Sequence, residues 1–323
     1  MTVAAGKAAI AIHGGAGAIP RAELGDEGYR RAREGLRQAL LAGWRVLSAG
    51  GLALDAVEAA VRALEDDPMF NAGHGAVFNA GGEHELDAAI MDGRTLAAGA
   101  VAGVRFIRNP VSAARRVMEA SDCVLLAGSG ADAFAIEQGL ETVAQDYFST
   151  DLRRRYLKRA KLAEAGKLER PASEAEKHGT VGAVAIDVAG NLAAATSTGG
   201  YTNKRVGRVG DSPVIGAGTY AANGACAVSG TGRGEYFIRH TTARDIAARM
   251  QFAGMGLAEA AHAAIFTDLA AHDCGAGLIA VGADGTIAMP FNTPGMYRGA
   301  ITADGVLSVG VYGDDFSVVE RLG

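Results

Sequence analysis

Apolar positions along this chain switch repeatedly between short continuous runs and a three-to-four-residue periodicity. Ala8-Ala9-Ile10-Ala11-Ile12 is a continuous run and predicts a buried strand over 8–12, ending at the turn-rich His13-Gly14-Gly15-Ala16-Gly17. Tyr29, Ala32, Leu36, Leu40 and Trp44 recur at helical spacing and predict a helix over 26–48. Ala56, Val57, Ala60 and Leu64 predict a second helix over 53–64, stopped by Asp66-Asp67-Pro68. Strands follow over 85–91 and 97–104, with a turn at Asp92-Gly93. A helix over 110–119, a buried strand over 123–127 and a short helix over 131–139 complete this half.

The pattern lapses over 151–178, where basic and acidic residues mix and Pro171-Ala172-Ser173 interrupts, and this is the best linker in the chain. The acids dilute its basic charge too far for an anion-binding patch. Beyond it, strands over 180–187 and 191–198 flank Val188-Ala189-Gly190, a hairpin turn. Short strands are predicted over 214–217 and 225–229, helices over 234–249 and 256–269, and strands over 277–281, 287–290 and 306–311. Strands and helices on both sides of the linker suggest two halves of one α/β body.

Composition narrows this picture. Of 323 residues 49% are hydrophobic but only 6% aromatic, and 46 are glycine, which suggests close layer packing of small side chains with many tight turns. The formal net charge of -5 with no basic face argues against nucleic acid. The three cysteines show neither metal-ligand spacing nor a disulfide framework, so a reducing cytoplasm is expected. No signal peptide or membrane span is read. The seven histidines include no H-E-x-x-H, which argues against a catalytic zinc.

Chemistry concentrates after the linker. Cutting the Gly179–Thr180 bond would give Thr180 both a hydroxyl nucleophile and, on the same residue, an amine to serve as its base. Thr196-Ser197-Thr198-Gly199-Gly200 closes the return strand of the hairpin, so simple register would bring Thr198 beside Thr180. Ser229-Gly230-Thr231-Gly232-Arg233-Gly234 joins a strand to a helix, and Gly207-Arg208-Val209-Gly210-Asp211-Ser212-Pro213 supplies an acid–base pair. Taken singly, each cluster is better read as an ordinary strand end with its turn, and Arg208 with Asp211 as a surface ion pair. His13-Gly14-Gly15 could be a lipase-like oxyanion loop, but no G-x-S-x-G accompanies it.

The ordered combination closely resembles the plant-type asparaginases, or isoaspartyl peptidases, of the N-terminal-nucleophile hydrolase superfamily. The resemblance covers almost the whole chain. It is carried by 179–185, 195–200, 207–213 and 230–232, and upstream by His13-Gly14-Gly15-Ala16-Gly17, Phe70-Asn71-Ala72-Gly73-His74-Gly75 and Glu85-Leu86-Asp87-Ala88 with Met91-Asp92-Gly93. It implies an α+β fold, a four-layer αββα sandwich forming a single domain over 1–323. It also implies self-cleavage into fragments 1–179 and 180–323 that stay associated, and a dimer of such heterodimers.

By the same resemblance Thr180 is the nucleophile, Thr198 holds it in position, Thr231 and Gly232 form the oxyanion hole, and Asn71 lines the pocket. Arg208 grips a substrate α-carboxylate by two points, while Asp211 and the Gly234 carbonyl take its α-ammonium. The β-carbonyl is then left facing Thr180, so the implied substrates are L-asparagine and β-aspartyl dipeptides. No cofactor is implied for catalysis. The carbonyls of Leu64, Glu65, Asp67, Phe70, Ala72 and His74 are implied to wrap a structural sodium ion; read from the residues alone, this segment is a plain tight turn. Arg233, where relatives vary, is expected at the pocket mouth, favouring a second carboxylate. Two alternatives stand beside this reading. One is an amidase of the aspartylglucosaminidase type. The other is an uncleaved small-molecule-binding protein, for which Gly128-Ser129-Gly130 and Gly230-Thr231-Gly232 are weak phosphate-loop lookalikes.

Overall fold

A computed structural model describes residues 8–17, 20–167 and 179–322. The architecture is mixed α/β. In chain order it begins β1 (Ala9–Ala16), α1 (Arg21–Ser48), α2 (Ala53–Glu65), β2 (Leu86–Asp92), β3 (Ala98–Val104) and α3 (Pro110–Ala120). β4 (Leu125–Ala127), α4 (Gly128–Glu137) and α5 (Asp151–Glu164) follow. Beyond residue 179 come β5 (Val181–Ile186), β6 (Leu192–Thr198), β7 (Thr219–Ala221) and β8 (Cys226–Gly232), then helices Gly234–His240, Thr242–Ala253 and Leu257–Ala263. The chain closes with β9 (Ala276–Gly282), β10 (Ile287–Ala288), β11 (Gly295–Ile301), β12 (Val306–Tyr312) and β13 (Ser317–Arg321).

The strands form a nine-stranded sheet, β13-β12-β11-β1-β5-β6-β2-β3-β4, and a four-stranded sheet, β10-β9-β8-β7. Side-chain alternation explains how they are buried. Ile10, Ile12, Val181, Ala183, Ala185, Ala193 and Ala195 point to one face of the large sheet and pack with Leu36, Leu40, Val57 and Leu64 of α1 and α2. Ala9, Ala11, Val184, Ile186 and Ala194 point to the other face and meet Ala227, Ile279 and Val281 of the small sheet. The far side of the small sheet, Cys226, Val228, Leu278 and Ala280, packs on Ile246, Ala260, Ala261 and Ile265. β1 and β5, covered on both faces, are therefore continuous apolar runs without an exposed side.

Most predicted elements are present within a few residues, and the differences have local causes. Helix α1 starts at Arg21, but Gly25 breaks its geometry at φ 63°, so the regular helix begins near the predicted residue 26. The His13-Gly14-Gly15 segment is not a turn: β1 runs through it to Ala16, absorbing the glycines in a bulge between His13 and Gly15. The run at 123–127 is an exposed edge strand rather than a buried one, paired only with β3. The first half of the predicted linker is helix α5, capped by the Thr150 hydroxyl, which accepts from the Arg153 N–H at 3.2 Å; its second half, 168–178, lies outside the described residues.

Residues 214–217 are a turn, and the strand expected there begins at Thr219. Thr241, left-handed at φ 48°, splits the helix predicted over 234–249. Strands β11 and β13 are absent from the sequence prediction. β11 carries two glycines and Arg298, a weak strand signal, yet Gly299 lets it pass so close to α1 that a Cβ would lie 2.8 Å from Leu40 Cδ1. No helix among the described residues is long and apolar enough to cross a membrane.

Candidate active site

The site sits where β5 begins and β6 and β8 end. Antiparallel pairing sets Val181 opposite Ser197, so Thr180 and Thr198 come side by side, as the hairpin register predicts. Their hydroxyls are 3.1 Å apart, with Thr180 donating. Residues of even number on β5 and β6 face the small sheet, as do Ser229 and Thr231 on β8, so Thr180, Thr198 and Thr231 all open into the space between sheets.

The Gly179 carbonyl collects two donors, Asn71 Nδ2 at 2.7 Å and Thr198 Oγ1 at 3.1 Å, and Thr180 Oγ1 lies 2.7 Å from the same oxygen. Asn71 is itself fixed, since its Oδ1 accepts from Val77 N–H at 2.8 Å and its Nδ2 also donates to the Gly200 carbonyl at 2.7 Å. Thr198 Oγ1 also accepts from Gly200 N–H at 2.9 Å. Gly15 permits the approach of β1: at φ 113°, a Cβ there would lie 3.0 Å from Gly179 Cα and 3.1 Å from Thr180 N.

Sequence reasoning treats His13 only as part of a supporting motif. In the structure its Nδ1 is 3.0 Å from the Thr180 carbonyl and its Nε2 is 2.9 Å from Ser229 Oγ. A carbonyl only accepts, so Nδ1 carries the proton and Nε2 accepts from Ser229. Ser229 then accepts from Thr196 at 2.7 Å, and Thr219 lies 2.7 Å from Thr196 and 2.9 Å from the Ser212 carbonyl. Burial pulls the His13 pKa down to about 3, against the opposing pull of the Thr180 carbonyl, so the ring stays neutral. The only signal for this network in the sequence is polar residues at alternate positions of apolar strands.

Ser197, pointing the opposite way from Thr198, donates to Glu65 Oε1 at 2.7 Å, and Val111 N–H donates to the same oxygen at 3.0 Å. Thr231 Oγ1 accepts from Ala16 N–H at 3.1 Å. Gly232 follows at φ 138°, where a Cβ would lie 2.5 Å from the Gly275 carbonyl oxygen.

Arg208, Asp211 and Gly234 converge as expected. A Cβ on Gly234 would sit 2.5 Å from Asp211 Oδ1 and 3.0 Å from Arg208 Nη2. Asp211 is buried, and its Oδ2 has no hydrogen-bond partner among the described residues. Burial raises its pKa to about 7, with the Arg208 charge opposing. Sequence reasoning misses what holds this loop. The Glu85 carboxylate accepts from Gly207 N–H at 3.0 Å, Asp87 Oδ2 accepts from Gly210 N–H at 3.2 Å, and buried Lys204 donates to the Glu85 carbonyl at 2.7 Å. Arg208 itself pairs with Glu235. Arg233 is exposed, with its guanidinium 5.7 Å from the Tyr236 ring centre.

The loop after α2 brings carbonyls together. A Cβ on Gly73 would lie 2.4 Å from Glu65 O, and one on Gly75 would lie 2.6 Å from Pro68 O and 2.7 Å from Phe70 O. Pro68 is not among the residues expected there. Glu65 O accepts from His74 N–H at 2.7 Å, and Asp67 O from Phe70 N–H at 3.2 Å.

The sequence is similar to those of known proteins. A family model described as asparaginase matches residues 6–311. An isoaspartyl peptidase of Escherichia coli is 53% identical, covering 95% of this chain and 97% of its own. A probable isoaspartyl peptidase/L-asparaginase of Arabidopsis thaliana is 43% identical over 94% of this chain and 98% of its own, and an isoaspartyl peptidase/L-asparaginase of Xenopus laevis is 45% identical over 95% and 96%. With its threonines, Asn71 and the Arg208–Asp211 pair gathered at one end of two stacked sheets, the chain belongs to the asparaginase family of isoaspartyl peptidases and L-asparaginases.

Proposed function

We propose that this protein is an autoprocessing threonine hydrolase that cleaves β-aspartyl (isoaspartyl) dipeptides and the side-chain amide of L-asparagine, releasing L-aspartate. The observation that carries the reading is the two-donor grip of Asn71 and Thr198 on the Gly179 carbonyl, with Thr180 Oγ1 beside it, at the peptide bond whose scission frees Thr180. In the first reaction Thr180 Oγ1 attacks the Gly179 carbonyl carbon. Negative charge grows on an oxygen already facing Asn71 Nδ2 and the Thr198 hydroxyl, the arrangement that stabilises a tetrahedral intermediate. As the intermediate collapses the C–N bond breaks, the proton lost by the Thr180 hydroxyl passes to the departing nitrogen, and the ester left on Oγ1 is opened by water to a Gly179 carboxylate and a free Thr180.

The freed amine, with a reference pKa of about 7.7–8.0, accepts the hydroxyl proton and later returns it to the leaving amine. Thr198 holds the nucleophile. The Thr231 hydroxyl and Gly232 N–H receive the substrate oxyanion, contributing about 3–4 kcal/mol each. Arg208 binds the substrate α-carboxylate, and Asp211 binds its ammonium through Oδ1, the carboxylate oxygen beside Gly234, together with the Gly234 carbonyl. Isoaspartyl peptides are the preferred substrates, with asparagine second.

The body is a single four-layer αββα domain, a reading supported by the three apolar layers between helices and sheets. Fragments 1–179 and 180–323 remain associated because β5 lies between β1 and β6 and so pairs across the cut. Two such heterodimers pair, in a reducing cytoplasm suited to three free thiols. Neutral carbonyls crowding around Gly73 and Gly75 suit a hard monovalent cation, and those of Leu64, Glu65, Asp67, Phe70, Ala72 and His74 would hold a structural sodium ion.

Intact mass spectrometry with N-terminal sequencing tests the central claim. Two chains are expected, the smaller starting Thr-Val-Gly-Ala. A single chain persisting after long incubation overturns self-cleavage.

A further inference from the structure

Arg208 is oriented by a residue that lies outside the motifs assigned to the reaction. Glu235 Oε1 accepts from Arg208 Nε at 3.1 Å and sits 3.1 Å from Nη2, so one oxygen spans the Nε–Nη2 edge of the guanidinium. The Tyr201 ring supports the flat face, its centre 4.7 Å from Cζ. The remaining edge, Nη1–Nη2, is bordered by glycines. A Cβ would come within 3.3 Å of Nη1 at Gly200, 2.8 Å of Nη1 at Gly210 and 3.0 Å of Nη2 at Gly234. Gly200 N–H donates to Thr198 Oγ1, so this edge, which has no hydrogen-bond partner among the described residues, lies on the nucleophile's side of the loop.

A guanidinium binds a carboxylate by two points only when its fork is already aimed. We propose that Glu235 is a positioning residue for substrate recognition: it occupies one edge of Arg208 so that the other edge faces the cleft and receives the substrate α-carboxylate. This rests on the proposed reading that Arg208 binds that carboxylate. Glu235 also stands in the first turn of helix Gly234–His240, where any acid would favour the helix start. Reach separates the two roles. Aspartate serves a helix start as well as glutamate does, but it is one methylene too short to touch Arg208 Nε. Glutamine keeps an oxygen for Nε and loses the charge.

The test is steady-state hydrolysis of a β-aspartyl dipeptide by the full-length protein and its Glu235→Asp and Glu235→Gln variants, with scission at Gly179 followed in each. Scission needs no carboxylate receptor and is expected in all. Glu235→Asp is expected to raise KM about tenfold with kcat within about twofold, whereas Glu235→Gln stays within about threefold of the parent KM. An unchanged KM in Glu235→Asp, or a fall confined to kcat, overturns the proposal while leaving the reaction intact. A parent that self-cleaves but does not hydrolyse the dipeptide overturns the functional reading, and the positioning role with it.

Discussion

Thr180 shows how few atoms decide this site. Its hydroxyl, the Thr198 hydroxyl and the Asn71 amide all address one carbonyl oxygen, that of Gly179. The first two were legible in the sequence, because a tight hairpin with Val188-Ala189-Gly190 at its tip fixes register over its whole length. Asn71 was legible only through the family resemblance, since 108 residues separate it from Gly179. Asp211 carries a prediction at this scale. Its buried carboxyl holds a proton up to about pH 7 in the free protein, against an ordinary value of 3.8. The folded state therefore binds more protons than the unfolded one between those values, and stability contributed by Asp211 falls as pH rises through that window. Binding of an ammonium requires the ionised form. L-Aspartate affinity, measured by calorimetry, is thus expected to rise by up to about tenfold per pH unit below pH 7 and then level off. A flat profile from pH 5 to 8 would remove Asp211 from ammonium binding.

At the scale of elements, the loop carrying Arg208 has no strand or helix of its own. It is positioned by the start of β2, through Glu85 and Asp87, while Lys204 ties its approach to the same place. These acids belong to the segment before the proposed cut and the loop to the segment after it, so the carboxylate receptor is assembled across the two fragments. Asp87 accepts from Gly103 N–H with one oxygen and Gly210 N–H with the other. Asparagine offers a single acceptor, so Asp87→Asn sets an NH2 group against one of these donors, at about 1–3 kcal/mol. The expected result is a KM for β-aspartyl dipeptide raised about tenfold, with self-cleavage retained. An unchanged KM would show that the loop holds its shape without this anchor. The sequence identified this stretch only by family likeness, because a carboxylate's use as a backbone anchor leaves no periodicity to read.

For the molecule as a whole, stability and site share one packing scheme. Small side chains let two sheets approach, and the His13–Ser229–Thr196 chain crosses the gap just beneath Thr180. The loop between α2 and β2 ends the helix that supports β5 and β6 and also carries Asn71. A sodium ion held by its carbonyls would stabilise the folded state by about 2.7 kcal/mol at a hundred times its Kd. Replacing sodium by choline is therefore expected to lower Tm by several degrees and to slow self-cleavage through Asn71. Identical melting curves in the two salts would exclude a structural sodium ion.

Local chemistry fixed much of this in advance. Continuous apolar runs specified the buried strands β1, β5 and β6, helical periodicity specified α1 and α2, and a hairpin turn placed Thr198 beside Thr180, because each depends on residues near in sequence. Tertiary structure alone decided that β1 runs through its glycines, that 123–127 lies exposed at an edge, and that β11 fills the place beside β1. It alone joined His13 to Ser229, 216 residues away, and Glu235 to Arg208. Those partners meet only when two sheets stack and a loop folds over their ends, and the free energy that selects such contacts comes from burial shared by the whole chain rather than from the preference of any short segment.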